Sequence, residues 1–391
     1  MASLPWSNEL AINLAERTRM GRYRQQRTRF GVQGVDIVVD GTKLLSFCSN
    51  DYLGLASHPA LKKAFIEAAE KDGVGAGAAH LLTGHSHYHQ QLEEELAHFM
   101  GQEKVLLFSS GYQANMGIID GLMNRGDVII QDKLNHASLL DGGRLSTADQ
   151  LRYQHGDMAA LSRRLTQAEQ VKHRLLVSDA VFSMDGDIAP LPELISLAKQ
   201  HNTAVMIDDA HGLGVLGEHG RGCVEYWQVV QHDMPIVMGT FGKAFGTAGA
   251  FVAADEVVID TLIQQARTYV YTTAQPAAIA AATLASLKLV QEENWRREKL
   301  QTLISQFRAG AKSLGLNLMD SFTAIQPVLI GDDKQAIQIG KALEEKGLLV
   351  GVIRPPTVPE GSARLRITLS AKHTGQQVQH LLEALEQVHA H

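Results

Sequence analysis

Between about residues 50 and 285, short apolar runs alternate with amphipathic stretches. The apolar runs are continuous rather than interrupted by polar residues, which is typical of strands covered on both faces of a sheet. Helical patterns lie between several of the runs, for example at 191–201, directly after Pro190. This order of strands and helices predicts an α/β domain built on a mainly parallel sheet. The predicted strands are 104–108, 127–130, 174–178, 203–207, 236–239 and 250–253.

A different pattern follows this central part. Residues 286–391 open with a long helical stretch, then show a strand-like run at 323–330, a helix near 336–345 and a second run at 364–369. In the second run, leucine and isoleucine alternate with arginine and threonine, which predicts a half-solvated antiparallel strand. We therefore expect a smaller α+β domain at 286–391, following a large α/β domain at 50–285.

The N-terminal segment, residues 1–49, is polar and rich in arginine up to about Arg29. Its pattern predicts a helix followed by an extended arm. Two interpretations of the arm are open: it packs across a partner subunit, or it is a solvated basic segment.

Composition narrows the class of protein. The chain has 391 residues, 45% of them hydrophobic and 20% charged, which is the usual mix of a soluble globular protein. The formal net charge of −6 provides no basic surface for nucleic acid, so no nucleic-acid partner is expected. The two cysteines, Cys48 and Cys223, form no CxxC pair, so neither a disulfide framework nor a structural zinc site is expected.

Targeting signals are not evident either. The first residues lack the basic and then apolar layout of a secretion signal. The most apolar long stretch, 277–287, is too short to cross roughly 30 Å of hydrocarbon. The expectation is a cytoplasmic protein without a membrane partner.

Lys243 lies in an unusual setting, among small residues at 239–246 after a predicted strand. Such a setting suits a lysine that bonds covalently to a flat cofactor, because its amine is the nucleophile toward an aldehyde. A second strand, 203–207, ends in an acidic pair that begins with Asp208, and His211 follows closely. A carboxylate at a strand end is by itself more often structural, but this one would pair with a pyridinium nitrogen. The two features together predict a pyridoxal-phosphate (PLP) enzyme.

Two further stretches fit the same ligand. Small residues at 108–115 follow a strand and precede a helix, a setting in which backbone N–H groups cradle phosphate. That signal is weak alone, since Ser-Gly turns cap many helices. His136 also follows a strand and is a candidate for stacking on the cofactor ring. Ligands of such sheets bind beyond the carboxyl ends of the strands, where all of these residues are expected.

Two other patterns are disfavoured as binding sites. Residues 73–78 match the glycine fingerprint of dinucleotide-binding proteins, but a helix at 61–71 precedes them where the fingerprint needs a strand. Four histidines lie close together at a spacing that matches no familiar zinc pattern, so helix capping and loop hydrogen bonding are favoured over a metal site. These histidines are His80, His85, His87 and His89.

The chain resembles the α-oxoamine synthases, which are fold-type I PLP enzymes with the aspartate aminotransferase-like fold. Members of that family join an amino acid to an acyl-CoA with loss of carbon dioxide. The resemblance runs from about residue 50 to 373, and its motifs are modestly specific singly but strong together and in order. One departure is the Asp-Ala at 179–180, where Glu-Gly is expected, and it bears on loop shape rather than on the cofactor. The motifs lie at 49–55, 89–93, 135–138, 181–187, 208–212 and 239–243.

The resemblance implies a division of roles among the candidate residues. Lys243 would bind PLP as a Schiff base and then remove the Cα proton, Asp208 would pair with the pyridinium nitrogen, and His136 would stack on the ring and assist proton transfers. Contacts to the ring oxygen are implied for His211 and Ser183, and contacts to the phosphate for Gly111, Tyr112, Thr240 and, from the neighbouring subunit, Thr273. Contacts to substrate are implied for Arg24, Asn50, His136, Arg354 and Thr357, with Arg22 as the competitor of Arg24.

The stretch at 353–361, with 363–366 after it, resembles the branch of the family that condenses L-alanine with a pimeloyl thioester. The acyl group would arrive on CoA or on an acyl carrier protein, and both stay open. One alternative is a sibling enzyme, such as a glycine C-acetyltransferase. Another is a catalytically inactive PLP-fold partner subunit, which is disfavoured because such subunits typically lose the lysine that Lys243 represents. The resemblance also implies a homodimer, since active sites of this fold are shared between subunits.

Overall fold

The computed structural model describes residues 4–389, and its strands form two sheets, one of six strands and one of seven. The chain begins in the smaller sheet, builds the larger one, and then returns to the smaller. The strands are β1 (Arg29–Phe30), β2 (Asp36–Val39), β3 (Thr42–Phe47), β4 (Lys104–Phe108), β5 (Val128–Asp132), β6 (Asp149–Tyr153), β7 (Arg174–Asp179), β8 (Ala204–Asp208), β9 (Ile236–Thr240), β10 (Ala250–Ala254), β11 (Ile325–Gly331), β12 (Leu348–Ile353) and β13 (Ala363–Thr368).

The larger sheet has the order β4-β10-β9-β8-β7-β5-β6. β10 runs antiparallel to β4 and β9, and the other neighbouring pairs are parallel, which confirms the predicted mainly parallel sheet. All six strands predicted in this region are present. The sequence did not indicate β6, because this edge strand buries only Tyr153 and so lacks a continuous apolar run.

The parallel strands end together at one edge of this sheet. β5, β7 and β8 end in Asp132, Asp179 and Asp208, and β9 ends in Thr240. The residues directly before these ends are buried in all four strands. A single edge of a dry sheet therefore collects several polar side chains, as the topology of parallel sheets requires.

The smaller sheet has the order β1-β2-β3-β12-β13-β11, with β12 parallel to β3 and the other pairs antiparallel. Strands from the first 49 residues therefore share a sheet with strands from the last 70. The division into segments 1–49, 50–285 and 286–391 stays a prediction. A continuous helix, Ala277–Glu292, runs through the expected boundary at residue 285.

The prediction that the run at 364–369 is half-solvated is wrong. β13 is antiparallel to both neighbours, as expected, but all six of its residues are buried. It lies between β12 and β11, and its two arginines find polar partners instead of water. Arg364 forms an ion pair with Asp185, and Arg366 donates from Nε to the carbonyl oxygen of Ser183 at 2.6 Å.

The helices pack around both sheets, and their ends follow ordinary capping rules. In the helix predicted at 61–71, the ring of His58 accepts a hydrogen bond from the N–H of Ala60, Pro59 occupies the first turn, and the chain leaves the helix at Gly73 with φ 80°. The N-terminal helix is followed by an extended segment, as predicted. The helices are α1 (Ser7–Arg19), α2 (Pro59–Asp72), α3 (His87–Met100), α4 (Gly111–Leu122), α5 (Ala137–Leu145), α6 (Met158–Gln167), α7 (Leu191–Gln200), α8 (Cys223–Tyr226), α9 (Glu256–Gln265), α10 (Arg267–Val270), α11 (Ala277–Glu292), α12 (Trp295–Ser313), α13 (Asp333–Glu345) and α14 (Gly375–His389). Within residues 4–389, no helix combines the length and the apolar character needed to cross a membrane.

Candidate active site

A cavity of about 220 Å³ lies at the carboxyl edge of the larger sheet. Strand ends, the first turn of α4 and the loops that precede α5 and follow β8 form its walls. The structure thus brings together, in one place, eight of the candidate residues that the sequence spreads over 133 positions. They are Gly111, Tyr112, His136, Ser183, Asp208, His211, Thr240 and Lys243.

Asp208 is fixed at the floor of the cavity by two donors. Asn115 donates from Nδ2 to Oδ2 at 2.6 Å, and the backbone N–H of Ala210 donates to Oδ1 at 3.0 Å. Hydrogen bonds of this kind hold the orientation of the carboxylate. The Asp208 side chain is therefore a pre-oriented anion, suited to a cationic ring nitrogen.

Lys243 follows β9 in a loop that is anchored by two fully buried rings, Phe241 and Phe245. The turn ends at Gly246, where a Cβ would lie 2.3 Å from the backbone nitrogen of Ala56, so only glycine allows this close approach. Burial lowers the pKa of Lys243 to about 8, against the opposing effect of neighbouring carboxylates. About one tenth of the amine is thus uncharged at pH 7, against less than about one thousandth for an ordinary lysine, and the uncharged form is the one that attacks an aldehyde.

His136 begins α5 and is held from three directions. Its backbone N–H donates to Oδ2 of Asp179 at 2.9 Å. Its ring Nδ1 accepts from the N–H of Ser138 at 3.3 Å and lies 2.7 Å from the Ser138 hydroxyl. Because burial lowers the pKa of His136, the ring is neutral and its orientation is set by these contacts.

Asn115 joins the acid and the ring of this site. The same Nδ2 that reaches Asp208 donates to the hydroxyl oxygen of Ser138 at 2.8 Å. That hydroxyl is then free to donate its own proton to Nδ1 of His136, which leaves the proton of the imidazole on Nε2. One buried amide therefore aligns Asp208 and His136 together.

The first turn of α4 provides a candidate anion site in the wall of the cavity, which Gly111 and Tyr112 line. Ser110 caps this helix by accepting from the N–H of Gln113 at 3.3 Å, and Gly111 follows as the first helical residue. The N–H groups of the first turn have no partner within the helix and carry a partial positive charge. The cavity thus combines a reactive amine, a fixed carboxylate and a helix N-terminus, which are the groups that bind the aldehyde, ring nitrogen and phosphate of PLP. The residues present fit this cofactor.

Five predicted residues lie outside the cavity. Asn50 is one contact away, since its Oδ1 accepts from the Arg366 guanidinium at 3.3 Å. Arg354 donates to the carbonyl oxygen of Gly21, and its Nε is buried without a hydrogen-bond partner among residues 4–389. The others have exposed side chains in this single chain: Arg24, Thr273 and Thr357.

The cavity also contains residues to which the sequence had assigned no role. Asp179, Asn115 and Ser138 line it, and Arg366 reaches its rim. The sequence feature that could have marked Asp179 as a site residue is its position at a strand end. Arg366 alternates with apolar residues, and this pattern indicated that its side chain faces solvent. No local pattern marked Asn115, because its role depends on the packing of α4 against α5.

The histidine-rich stretch folds as a capped helix start, as predicted. His89 closes a capping box with Ser86, whose backbone N–H donates to Nδ1 of His89 at 3.0 Å. His80 and His85 lie beside it, with one nitrogen of each ring within 4.8 Å of the others. Because Nδ1 of His89 is an acceptor, its Nε2 carries the proton and is a poor metal ligand. The glycine stretch at 73–78 follows α2 rather than a strand, as expected.

Comparisons with known proteins place these features in a family. Residues 42–385 match the family described as Aminotransferase class I and II. An 8-amino-7-oxononanoate synthase of Nitrosococcus oceani is 56% identical over 96% of this chain and 100% of its own length. One from Thioalkalivibrio sulfidiphilus is 56% identical over 97% of this chain and 96% of its own length.

Solved structures agree with this placement. A serine palmitoyltransferase from S. paucimobilis with bound PLP is 30% identical, with a TM-score of 0.93 over 99% of both chains. An 8-amino-7-oxononanoate synthase from Francisella tularensis is 32% identical, with a TM-score of 0.77 over 88% of this chain and 97% of its own.

Proposed function

The chain belongs to the class I and II aminotransferase family, and on that premise we propose that it catalyses the 8-amino-7-oxononanoate synthase reaction of biotin biosynthesis. In this reaction L-alanine condenses with a pimeloyl thioester, and carbon dioxide and the free thiol are released. The observation that carries the proposal is identity of 54–56% to synthases of this name across 96–97% of the chain. The enzyme is a PLP-dependent acyltransferase.

PLP, when bound, withdraws electrons from the Cα of the amino acid and so makes loss of a proton accessible. Lys243 would hold the cofactor, and its amine, when free, would receive the Cα proton of alanine. Its pKa of about 8 suits both tasks near neutral pH. Asp208 stabilises the protonated ring nitrogen, since its carboxylate is already fixed by Asn115.

Two histidines and a serine complete the binding of the cofactor. His211 and Ser183 would donate to the ring oxygen, and His136 would lie against the ring face. The N–H groups of Gly111 and Tyr112, with the Thr240 hydroxyl, would bind the phosphate. The Thr240 hydroxyl donates to the carbonyl oxygen of Gly249 at 2.9 Å and can rotate toward an anion.

The carboxylate of alanine requires a cation at the rim of the cavity. Arg366 is buried beside Asn50 and Ser183, and its positive charge contributes to lowering the pKa of both Lys243 and His211. Its planar guanidinium suits a carboxylate. Arg354 is the second candidate, because its Nε is buried without a partner among residues 4–389.

A homodimer is typical of this fold, and we propose that this chain forms one with Thr273 reaching the phosphate of the neighbouring subunit. In the single chain, none of the residues of α1 is buried, and Leu10, Ile12 and Leu14 are exposed. Leu10 and Leu14 are four residues apart on one face of α1, and this exposed apolar pair supports packing of the segment across a partner.

The proposal is tested by offering the PLP-loaded protein pimeloyl-CoA with either L-alanine or glycine and measuring thiol and carbon dioxide release. We expect release with alanine and none with the Lys243→Ala control. Release with glycine and acetyl-CoA, but not with alanine, would point to a sibling enzyme instead. Repeating the assay with a pimeloyl acyl carrier protein identifies which carrier is preferred.

A further inference from the structure

His155 lies between two loops that both contribute to the cavity. It follows β6 and is not itself a lining residue. Its Nδ1 donates to Oδ1 of Asp132 at 3.1 Å, and its Nε2 donates to Oδ2 of Asp187 at 3.0 Å. Since both ring nitrogens face carboxylates, both must carry protons, and the ring is an imidazolium.

The charge on this ring follows from its surroundings. Burial lowers the pKa of His155, but hydrogen bonds to Asp132 and then Asp187, together with their charges, outweigh it and raise the pKa to about 10. The side chain of His155 is 23% exposed and that of Asp132 only 2%. The contact with Asp132 is therefore a largely desolvated ion pair, whereas the contact with Asp187, whose side chain is 31% exposed, is a partly solvated one.

Asp132 connects His155 to the turn that carries His136. It ends β5, and its Oδ1 also accepts from the N–H of Leu134 at 2.8 Å. Its Oδ2 accepts from the N–H of Gly156 at 3.2 Å. The Asp132 carboxylate thus binds the backbone N–H of Leu134, two residues before His136, and that of Gly156, directly after His155.

Asp187 connects His155 to the loop that carries Ser183. Its carbonyl oxygen accepts from the N–H of Phe182 at 3.0 Å, and Val181 bridges Ile188, which closes residues 181–188 into a small loop. The imidazole also meets the Phe182 ring edge-on at 4.3 Å. Oδ1 of Asp187 is buried without a hydrogen-bond partner among residues 4–389. The carboxylate is therefore held through its other oxygen, Oδ2, which accepts from His155.

We propose that His155 is a positioning residue that sets the distance between His136 and Ser183, and with it the width of the slot for the cofactor ring. The assignment of the slot rests on the proposed function, whereas the contacts of His155 do not. Neutral replacement of His155 leaves the buried carboxylate of Asp132 and the half-buried carboxylate of Asp187 without their shared cation, and the loop at 181–188 moves away.

The test uses His155→Gln and a matched control, His173→Gln. His173 also bridges to an aspartate, Asp127, at 3.2 Å, but at the opposite edge of the same sheet. Two measurements need no turnover: PLP affinity by titration of the PLP-free protein, and amide hydrogen exchange of 181–188. We expect affinity to fall about tenfold or more in His155→Gln, in line with the large effect of roughly 1 Å displacements in a preorganised site. The control should stay within about twofold of the wild type.

A rescue variant separates positioning from a general loss of stability. In His155→Gln/Asp187→Asn, the glutamine can donate to Asp132 and accept from the asparagine, which restores both contacts without charge. Most of the lost PLP affinity and exchange protection should return. If His155→Gln does not fold, the single variant Asp187→Asn replaces it in the test. We then expect faster amide hydrogen exchange at 181–188 than in the wild type.

Unchanged affinity and unchanged exchange in His155→Gln would overturn the proposal, as would equal losses in the His173→Gln control. Failure of the proposed function gives a different result. In that case the wild type releases no thiol with alanine, while the effects on PLP affinity and exchange persist.

Discussion

The hydroxyl of Tyr52 lies 2.6 Å from Nδ1 of His211, so the buried tyrosine contacts a half-buried histidine that lines the cavity. Burial raises the pKa of Tyr52 to about 12 and lowers that of His211 well below its usual value, so a neutral phenol meets a neutral imidazole. The other acceptor near Tyr52, Oδ1 of Asn50, lies farther away at 3.3 Å, so the contact with His211 is the shorter of the two. The phenol therefore donates to His211, whose proton is left on Nε2. Ser138 does the same for His136, so both histidines of the site are held in one tautomer.

Removal of the Tyr52 hydroxyl tests this arrangement. In Tyr52→Phe, Nδ1 of His211 loses its donor and both tautomers become accessible. PLP should bind about fivefold more weakly, which corresponds to about 1 kcal/mol for one buried hydrogen bond. Titration of the PLP-free protein measures the effect. Tyr269→Phe, another buried tyrosine outside the cavity, should bind PLP as the wild type does.

The pKa of Lys243 predicts how the protein captures its cofactor. Only the neutral amine attacks the aldehyde, so the rate constant for PLP binding to the PLP-free protein should rise about tenfold per pH unit below pH 8. Above about pH 8, the pKa that burial gives Lys243, the rate should level off. Stopped-flow absorbance between pH 6 and 10 measures this profile. A rate that keeps rising beyond pH 9.5 would show an ordinary lysine with a pKa near 10.4.

The two neighbouring acids of the cavity should respond differently to amidation. Asp179 and Asp208 are paired in register on β7 and β8. Burial, and then the charge of Asp208, raise the pKa of Asp179 well above its usual value, and its side chain accepts from the His136 N–H. Asp179→Asn should keep kcat within about fivefold, whereas Asp208→Asn should lose at least about 100-fold, or roughly 3 kcal/mol. Steady-state kinetics with alanine distinguishes them, and equal losses would contradict the assignment.

His155 predicts a pH dependence of stability. Its pKa in the folded protein, about 10, is above the unfolded value near 6.5, so its contribution is complete below pH 6.5 and is lost as pH rises through 10. The charged groups facing it are Asp132, Asp187 and Asp185, the last of which is neutralised by Arg364. The wild type should exceed His155→Gln by about 2 kcal/mol at pH 6.5, after allowance for partial exposure, and the difference should shrink by pH 10. Urea unfolding at both pH values measures the gap, and a gap that widens with pH would contradict the prediction.

Three arginine variants decide which cation holds the alanine carboxylate. Arg366→Gln should raise KM for L-alanine at least about tenfold, the cost of one charge-assisted hydrogen bond, and change KM for the thioester little. Arg354→Gln should have the smaller effect on KM if Arg366 is the main partner. Arg364→Gln is the control on the same strand, because its guanidinium is already bound by Asp185. It should lower stability and leave KM for alanine nearly unchanged.

Much of the site was predictable because of where parallel strands end. The sequence identified the apolar strands, and each of Asp208, His136 and Lys243 follows one of them, so the sheet alone brings them together. The residues that hold these groups in place carry no such signal. Asn115 contacts Asp208, which lies 93 positions away in the sequence, and Tyr52 contacts His211, which lies 159 positions away. Only tertiary packing creates such contacts.

The errors have a common physical cause. A strand that alternates apolar and polar residues usually faces water, but in β13 the polar positions face ion-pairing and hydrogen-bonding partners from the 183–185 loop. An edge strand such as β6 needs few apolar residues, so it was not recognised. For Arg24, Thr273 and Thr357, exposed in one chain, the expected contacts depend on substrate or a second subunit.

The return of the chain to its first sheet affects the order in which the protein can fold during synthesis. β3 is complete at Phe47, yet its parallel partner β12 begins at Leu348. At ribosomal speeds the early strands wait roughly 15–60 s for that partner. During this interval all strands of the cofactor sheet have already emerged. The nascent chain could therefore capture PLP before its N-terminal hairpin has a partner, and premature termination near residue 345 would leave an unpaired strand edge that chaperones or proteases recognise.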